Sequence, residues 1–172
     1  MHIGKKLALP LLFLCGPSIA HEISGKVEPD AVFANDVSSV RAHLEADQAF
    51  MVACNKHLLP LPPAIAENFA KWRTDNAPLL ANLPAWLKLQ GEIIGKYERL
   101  RSAQTLDGMN QTNAAMYDEA ELLVAGLSPD RQLSSCLQFS VAALRSTLAT
   151  DNDFRHHFER ADMYFKSTGA AP

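Results

Sequence analysis

The chain has 172 residues, 48% of them hydrophobic and 20% charged, with 16 basic residues against 19 acidic and a net charge of −3. That is the size and composition of one globular domain able to bury a proper core. The acidic balance gives no electrostatic basis for holding nucleic acid, and no apolar run approaches the roughly 20 residues that a permanent membrane span requires.

The N-terminus reads as an export signal. Lys5 and Lys6 precede an apolar stretch from Leu7 to Leu14, and the helix-breaking pair Gly16-Pro17 is followed by Ser18, Ile19 and Ala20, with small residues where a signal peptidase reads. Residues 1–20 are therefore expected to be removed, delivering a periplasmic or secreted product. Lipidation is disfavoured, because Leu14 rather than a small residue precedes Cys15. Loss of Lys5 and Lys6 leaves 14 basic residues against 19 acidic, a net charge of −5. Cys15 leaves as well, so Cys54 and Cys136 remain, and in an oxidising compartment these two are expected to pair. Their bond would close a loop of 82 residues, which the chain-entropy account values at roughly 4.5 kcal/mol.

Residues 21–35 carry Gly25 and Pro29 and little periodicity, the pattern of a flexible N-terminal arm. A first helix is expected from Asn35 or Asp36 to about Leu59. Val37, Val40, Leu44, Met51, Cys54 and Leu58 mark its apolar seam, which is interrupted at Asp47. Pro60-Leu61-Pro62-Pro63 ends it and opens a second helix with Ile65, Phe69 and Trp72 on one face, fading near Asp75-Asn76. The stretch "NAPLLANLPAW" reads as a turn-rich connection, and a third helix is expected from Pro84 to about Ala103. Gly91 and Gly95, one turn apart on it, suggest close approach of a neighbour.

"LDGMNQTN" reads as a break, with a fourth helix from about Thr112 to Val124 stopped by Gly126 as a left-handed cap. Ser128-Pro129-Asp130 opens a fifth, whose inward face is expected to be Leu133, Cys136, Leu137, Val141, Leu144 and Leu148. Asp151 caps a last helix with Phe154, Phe158, Ala161 and Phe165 on one stripe before Gly169. No period-two alternation argues for a strand. The fold expected is all-α: an irregular bundle of five to six helices in a single domain over residues 36–168, stitched by one disulfide.

Candidate chemistry is sparse. His43 and Asp47 are spaced i and i+4 and share a helix face, as two metal ligands or an acid steering a histidine would. The same gap in a seam arises where one buried polar residue fixes helix register, and that structural account is preferred. Removal of the leader would expose His21, whose α-amine and imidazole suit Cu(II), but no spacing singles out a further histidine. His156, His157, Glu159 and Asp162 lack the His-Glu-x-x-His spacing and read as a solvated face. No nucleophile elbow, Ser-x-x-Lys pair or phosphate-cradling glycine loop occurs, so no motif supports catalysis or asks for a cofactor.

Two surface features point toward binding. Lys88, Lys96, Arg99 and Arg101 give the third helix local positive character, while Asp118, Glu119 and Glu121 make the fourth locally negative. Trp72 and Trp86 are read as core. The function expected by exclusion is that of an exported, non-enzymatic protein with a protein partner in the cell envelope: an inhibitor, an immunity-type neutraliser or an adaptor. The alternative is a small-ligand or metal-binding protein, enzymatic or not, with its site at His43 and Asp47.

Overall fold

The computed structural model describes residues 28–97 and 102–169, with side chains described for 28–96 and 114–169. The expected leader, His21, residues 21–27 of the arm, and Arg99 and Arg101 lie outside these. Six helices follow in order: α1 Pro29–His57, α2 Pro63–Asp75, α3 Ala77–Tyr97, α4 Ser102–Ala125, α5 Pro129–Ala143 and α6 Asn152–Ser167. No strand occurs among the described residues, so the all-α expectation holds. No helix among them is long and apolar enough to cross a membrane.

α1 is the central element, packed against α3, α4, α5 and α6, while α2 lies against α5 and α3. It begins at Pro29, so residues 29–35, read above as part of an arm, form its first two turns. The reason is that a proline needs no amide partner in a first turn, and Phe33 carries the seam of Val37, Val40 and Leu44 one turn further back. Phe33 stacks on Tyr164 of α6, with ring centroids 4.7 Å apart, which docks this end of α1.

Two other helix starts also lie upstream of their expected places. α3 starts at Ala77 rather than Pro84, because Leu79, Leu83, Trp86, Gln90 and Ile93 form one buried face across the whole segment. Pro84 is exposed within that helix, and the burial on either side carries the helix through it. α4 starts at Ser102, so the stretch expected to break is helical. At its end Gly126 lacks a positive φ and is no left-handed cap. A Cβ there would lie 3.2 Å from the Leu122 carbonyl, to which the Gly126 amide donates at 3.0 Å. Among the described residues the left-handed glycine is Gly169, with φ +68°, just beyond α6.

α2 and α6 match their expected bounds. Ile65, Phe69 and Trp72 are buried on α2, and Phe154, Ala161 and Phe165 on α6, whose cap is Asp151 accepting from the Phe154 amide at 3.0 Å. Cys54 near the end of α1 and Cys136 in the middle of α5 are both fully buried, with sulfurs at bonding distance, 2.09 Å. Beside this tether Phe139 of α5 stacks on Phe50 of α1 at 4.7 Å and meets the edge of Phe69 of α2 at 6.4 Å.

Of the six residues expected on the inward face of α5, Cys136 and Leu148 are buried and Leu144 packs against the core, whereas Leu133, Leu137 and Val141 do not face inward. Cys136, Ser140 and Ala143 point inward, and the helix ends at Ala143 rather than near Leu148. Leu133, Leu137 and Val141 are 43%, 41% and 42% exposed. Small side chains allow the close approach that the Cys136 tether imposes, and Ser140 is satisfied there by accepting from Asn68 Nδ2 and donating to the Leu137 carbonyl. A leucine in that position would hold the helices apart.

Candidate functional site

Asp47 lies on the buried side of α1, and its Oδ2 accepts a hydrogen bond from the Trp72 indole at 2.8 Å. Burial pushes its carboxyl above the ordinary value, against the lowering effects of that hydrogen bond and of the nearby His43. His43 turns elsewhere: its Nε2 donates to the Ser146 carbonyl at 3.1 Å, and its ring packs against Phe154 at 4.5 Å. The two therefore serve different neighbours, α2 and the α5–α6 loop. Among the described residues no group of three or more histidine, cysteine, aspartate or glutamate side chains is placed to hold a metal.

That loop is a polar joint. The Leu148 amide donates to Asn76 Oδ1 at 3.0 Å, Thr147 Oγ1 donates to Asp75 Oδ2 at 3.4 Å, and Thr147 and Asn76 are fully buried. The junction of α2 and α3 thus holds the connection between α5 and α6, which explains why α5 stops where it does.

The main polar cluster was not visible in the sequence pattern. Asp36, read as a helix cap, is fully buried on α1. Arg160 of α6 meets it as a fork, Nε 2.9 Å from Oδ2 and Nη2 2.5 Å from Oδ1, and His157 Nδ1 donates to Oδ1 at 2.6 Å. The Asp36 carboxylate in turn holds the Arg160 guanidinium above its ordinary value. So His157, expected on a solvated face, is a partner of a buried acid. The signal that could have exposed this is the i, i+3 pair of basic side chains on α6, combined with an α1 seam extended back to Phe33, which places Asp36 on its inward side. A carboxylate whose oxygens are filled by a guanidinium and an imidazole is a structural joint between α1 and α6.

Both tryptophans are core, Trp72 at 1% and Trp86 at 0% exposure, with Trp86 tilted against Phe158 at 5.3 Å. Comparison with family models, with characterised proteins and with solved structures gives no match.

What is left for a partner is surface. Lys88 and Lys96 are exposed on α3. On α4 Asp118 and Glu119 are exposed, while Glu121 pairs with Lys56 of α1, whose ammonium holds its carboxyl below the ordinary value. The outward face of α5 is of another kind. Leu133, Leu137 and Val141 succeed one another at intervals of four residues, forming an apolar ridge along one side of the helix. No ionisable side chain occurs from residue 132 to residue 144, although Asp130 and Arg131 precede the ridge and Arg145 follows it. A charge-free apolar centre between charged ends is the composition of an interface core with its rim.

Proposed function

We propose that this chain is an exported, disulfide-tethered helical protein that works by binding protein through an outer helix face, as an inhibitor, an immunity-type neutraliser or an envelope adaptor does. The carrying observation is the ridge of Leu133, Leu137 and Val141, turned outward on a helix that already has a buried face of its own. Support also comes from what the polar side chains already do: Asp36, Asp47, His43 and His157 are engaged in joints between helices rather than gathered around a cleft. Export is supported by the Lys5-Lys6, Leu7 to Leu14 and Ser18 to Ala20 layout and by a pair of cysteines at bonding distance. The exposed cations Lys88 and Lys96 are available to steer an acidic partner toward the surface.

The test is a photo-crosslinking residue placed at Leu137 in one strain and at Lys96 in another, with products read in the cell that makes the protein. A discrete protein adduct from Leu137 is expected. Adducts from neither position would sink the reading. N-terminal sequencing of the recovered chain is expected to start at His21.

A further inference from the structure

Over its last turns α4 keeps its smaller apolar side chains inside and its larger ones outside. Ala120 and Val124 are buried, while Leu122 and Leu123 are 73% and 48% exposed. Each of these leucines has an exposed acid one turn before it, Asp118 before Leu122 and Glu119 before Leu123, a spacing that sets the two side chains of each pair side by side. Neither acid forms an ion pair among the described residues. No lysine, arginine or histidine occurs from Ser102 to Ala125, against the four acids Asp107, Asp118, Glu119 and Glu121. The C-terminal end of a helix carries partial negative charge, which a cation in the last turn ordinarily offsets, and α4 has no basic residue there. The cation that reaches it is Lys56 of α1, and Glu121 takes it.

Whatever covers the two leucines also covers the acids beside them. A wholly apolar cover would strip water from two carboxylates and leave them unpaired, which is costly. An anionic lipid surface would be repelled. Lysine or arginine placed one helical turn from apolar side chains satisfies the leucines and the acids together. We propose that the end of α4 is a docking face for a cationic amphipathic helix of a protein partner, with Leu122 and Leu123 against its apolar side and Asp118 and Glu119 against its basic side chains. Gln132 Nε2 donates to the Val124 carbonyl at 3.1 Å, so this face adjoins the start of the α5 ridge. The proposal rests on the protein-binding reading above and deepens it, naming the partner's chemistry. Lys88 and Lys96 belong to another part of the surface. Gln90, between them on α3, bonds to Ser38 of α1, about 27 Å along that helix from Lys56 at 1.5 Å per residue.

The experiment is fluorescence anisotropy of a labelled leucine–lysine peptide patterned as an amphipathic helix, titrated with the full chain with its Cys54–Cys136 bond intact. Circular dichroism melting establishes that each variant is folded. Binding with Kd below about 100 µM is expected, weakening as salt is raised, and the leucine–glutamate counterpart is expected not to bind. Asp118→Lys/Glu119→Lys is expected to weaken binding by at least about tenfold, and the neutral Asp118→Asn/Glu119→Gln by about threefold. Leu122→Ser, at an exposed position, is expected to weaken it by about fivefold. Lys88→Glu/Lys96→Glu is expected to leave it within about twofold, because those positions lie beyond the screening length.

Loss on charge reversal in α4, with the α3 variant unchanged, is specific to this face. A chain that does not bind the lysine peptide, or binds it equally well after charge reversal, overturns the proposal. Binding to phosphatidylcholine vesicles that Leu122→Ser abolishes would assign the leucines to a lipid surface and overturn it as well. The broader reading fails separately. No peptide binding alongside a discrete protein adduct from Leu137 overturns only the cationic face on α4, whereas no peptide binding and no adduct from Leu137 or Lys96 overturns both.

Discussion

Arg160 grips both oxygens of Asp36, with Nε 2.9 Å from Oδ2 and Nη2 2.5 Å from Oδ1, and so fastens α6 to the buried side of α1. Removing one member of a fully buried ion pair costs about 3–5 kcal/mol, because the other is left without compensation. Here Asp36 is fully buried while the Arg160 side chain is 37% exposed, and His157 remains as a second donor. Arg160→Ala is therefore expected to cost about 2 kcal/mol, below that range. Asp36→Asn is expected to cost a similar amount, since it leaves a guanidinium facing a neutral amide. Urea unfolding of both variants checks this, and a loss under about 0.5 kcal/mol in either would show the fork to be decorative.

Asp47 yields a prediction with a sign in pH. Burial raises its carboxyl above the ordinary value of 3.8, so the folded chain holds the proton more tightly than the unfolded chain does. Ionising Asp47 therefore costs stability. The cost is absent below 3.8, grows as pH rises from there through the folded value, and is constant above it. Asp47→Asn keeps an acceptor for the Trp72 indole and removes the titration. The stability of the asparagine variant relative to the native chain is expected to rise with pH across that window. Asp47→Ala removes the same titration but leaves the indole N–H buried and unpaired, so it is expected to follow the same pH slope about 2 kcal/mol below the asparagine variant. Unfolding free energies measured at intervals from pH 3 to 7 separate the two, and a relative stability that falls with rising pH would reverse the assignment.

How far the sequence could be read depended on whether punctuation and apolar spacing agreed. At Pro63 and Asp151 they coincide, and α2 and α6 begin as expected. At Pro29 and across Pro78 to Pro84 they conflict, and burial prevailed: Phe33 and the pair Leu79 and Leu83 draw the chain into helix through residues that otherwise punctuate it. The pairing of Cys54 with Cys136 was legible because only two cysteines follow residue 20, where the expected leader ends. The inward face of α5 was legible only at Cys136 and at Leu144 and Leu148 beyond it. Hydropathy favours Leu133, Leu137 and Val141, while closeness to α1 favours Ser140 and Ala143, and closeness is a property of the neighbour rather than of the segment. Asp36 and Arg160 are 124 positions apart, and no spacing rule reaches that far.

The Cys54–Cys136 bond links the last turns of α1 to the middle of α5 across 82 residues. Its loss restores freedom to a long loop in the unfolded chain, for which the chain-entropy account gives about 4.5 kcal/mol. Cys54→Ala/Cys136→Ala is expected to lose about that much, a large share of the 5–15 kcal/mol that holds an ordinary domain together. Because both sulfurs are fully buried, reductant under native conditions is expected to act slowly and to speed up in mild denaturant. Thiol labelling followed over time checks the rate. Equal rates with and without denaturant would place the bond at the surface instead.

The buried face of α5 makes opposite predictions for two apolar residues six positions apart. Leu137 is 41% exposed, so Leu137→Ser removes only part of a leucine's burial and is expected to cost about 1 kcal/mol. Ala143 is 2% exposed against the core, and Ala143→Leu adds bulk where the tethered helices approach, for about 1–3 kcal/mol. A helix packed on its leucine face would give the reverse order, with the serine variant losing several kcal/mol and the leucine variant unchanged. Chemical denaturation at low protein concentration distinguishes the two orders, and keeping the concentration low separates monomer stability from any contribution of association.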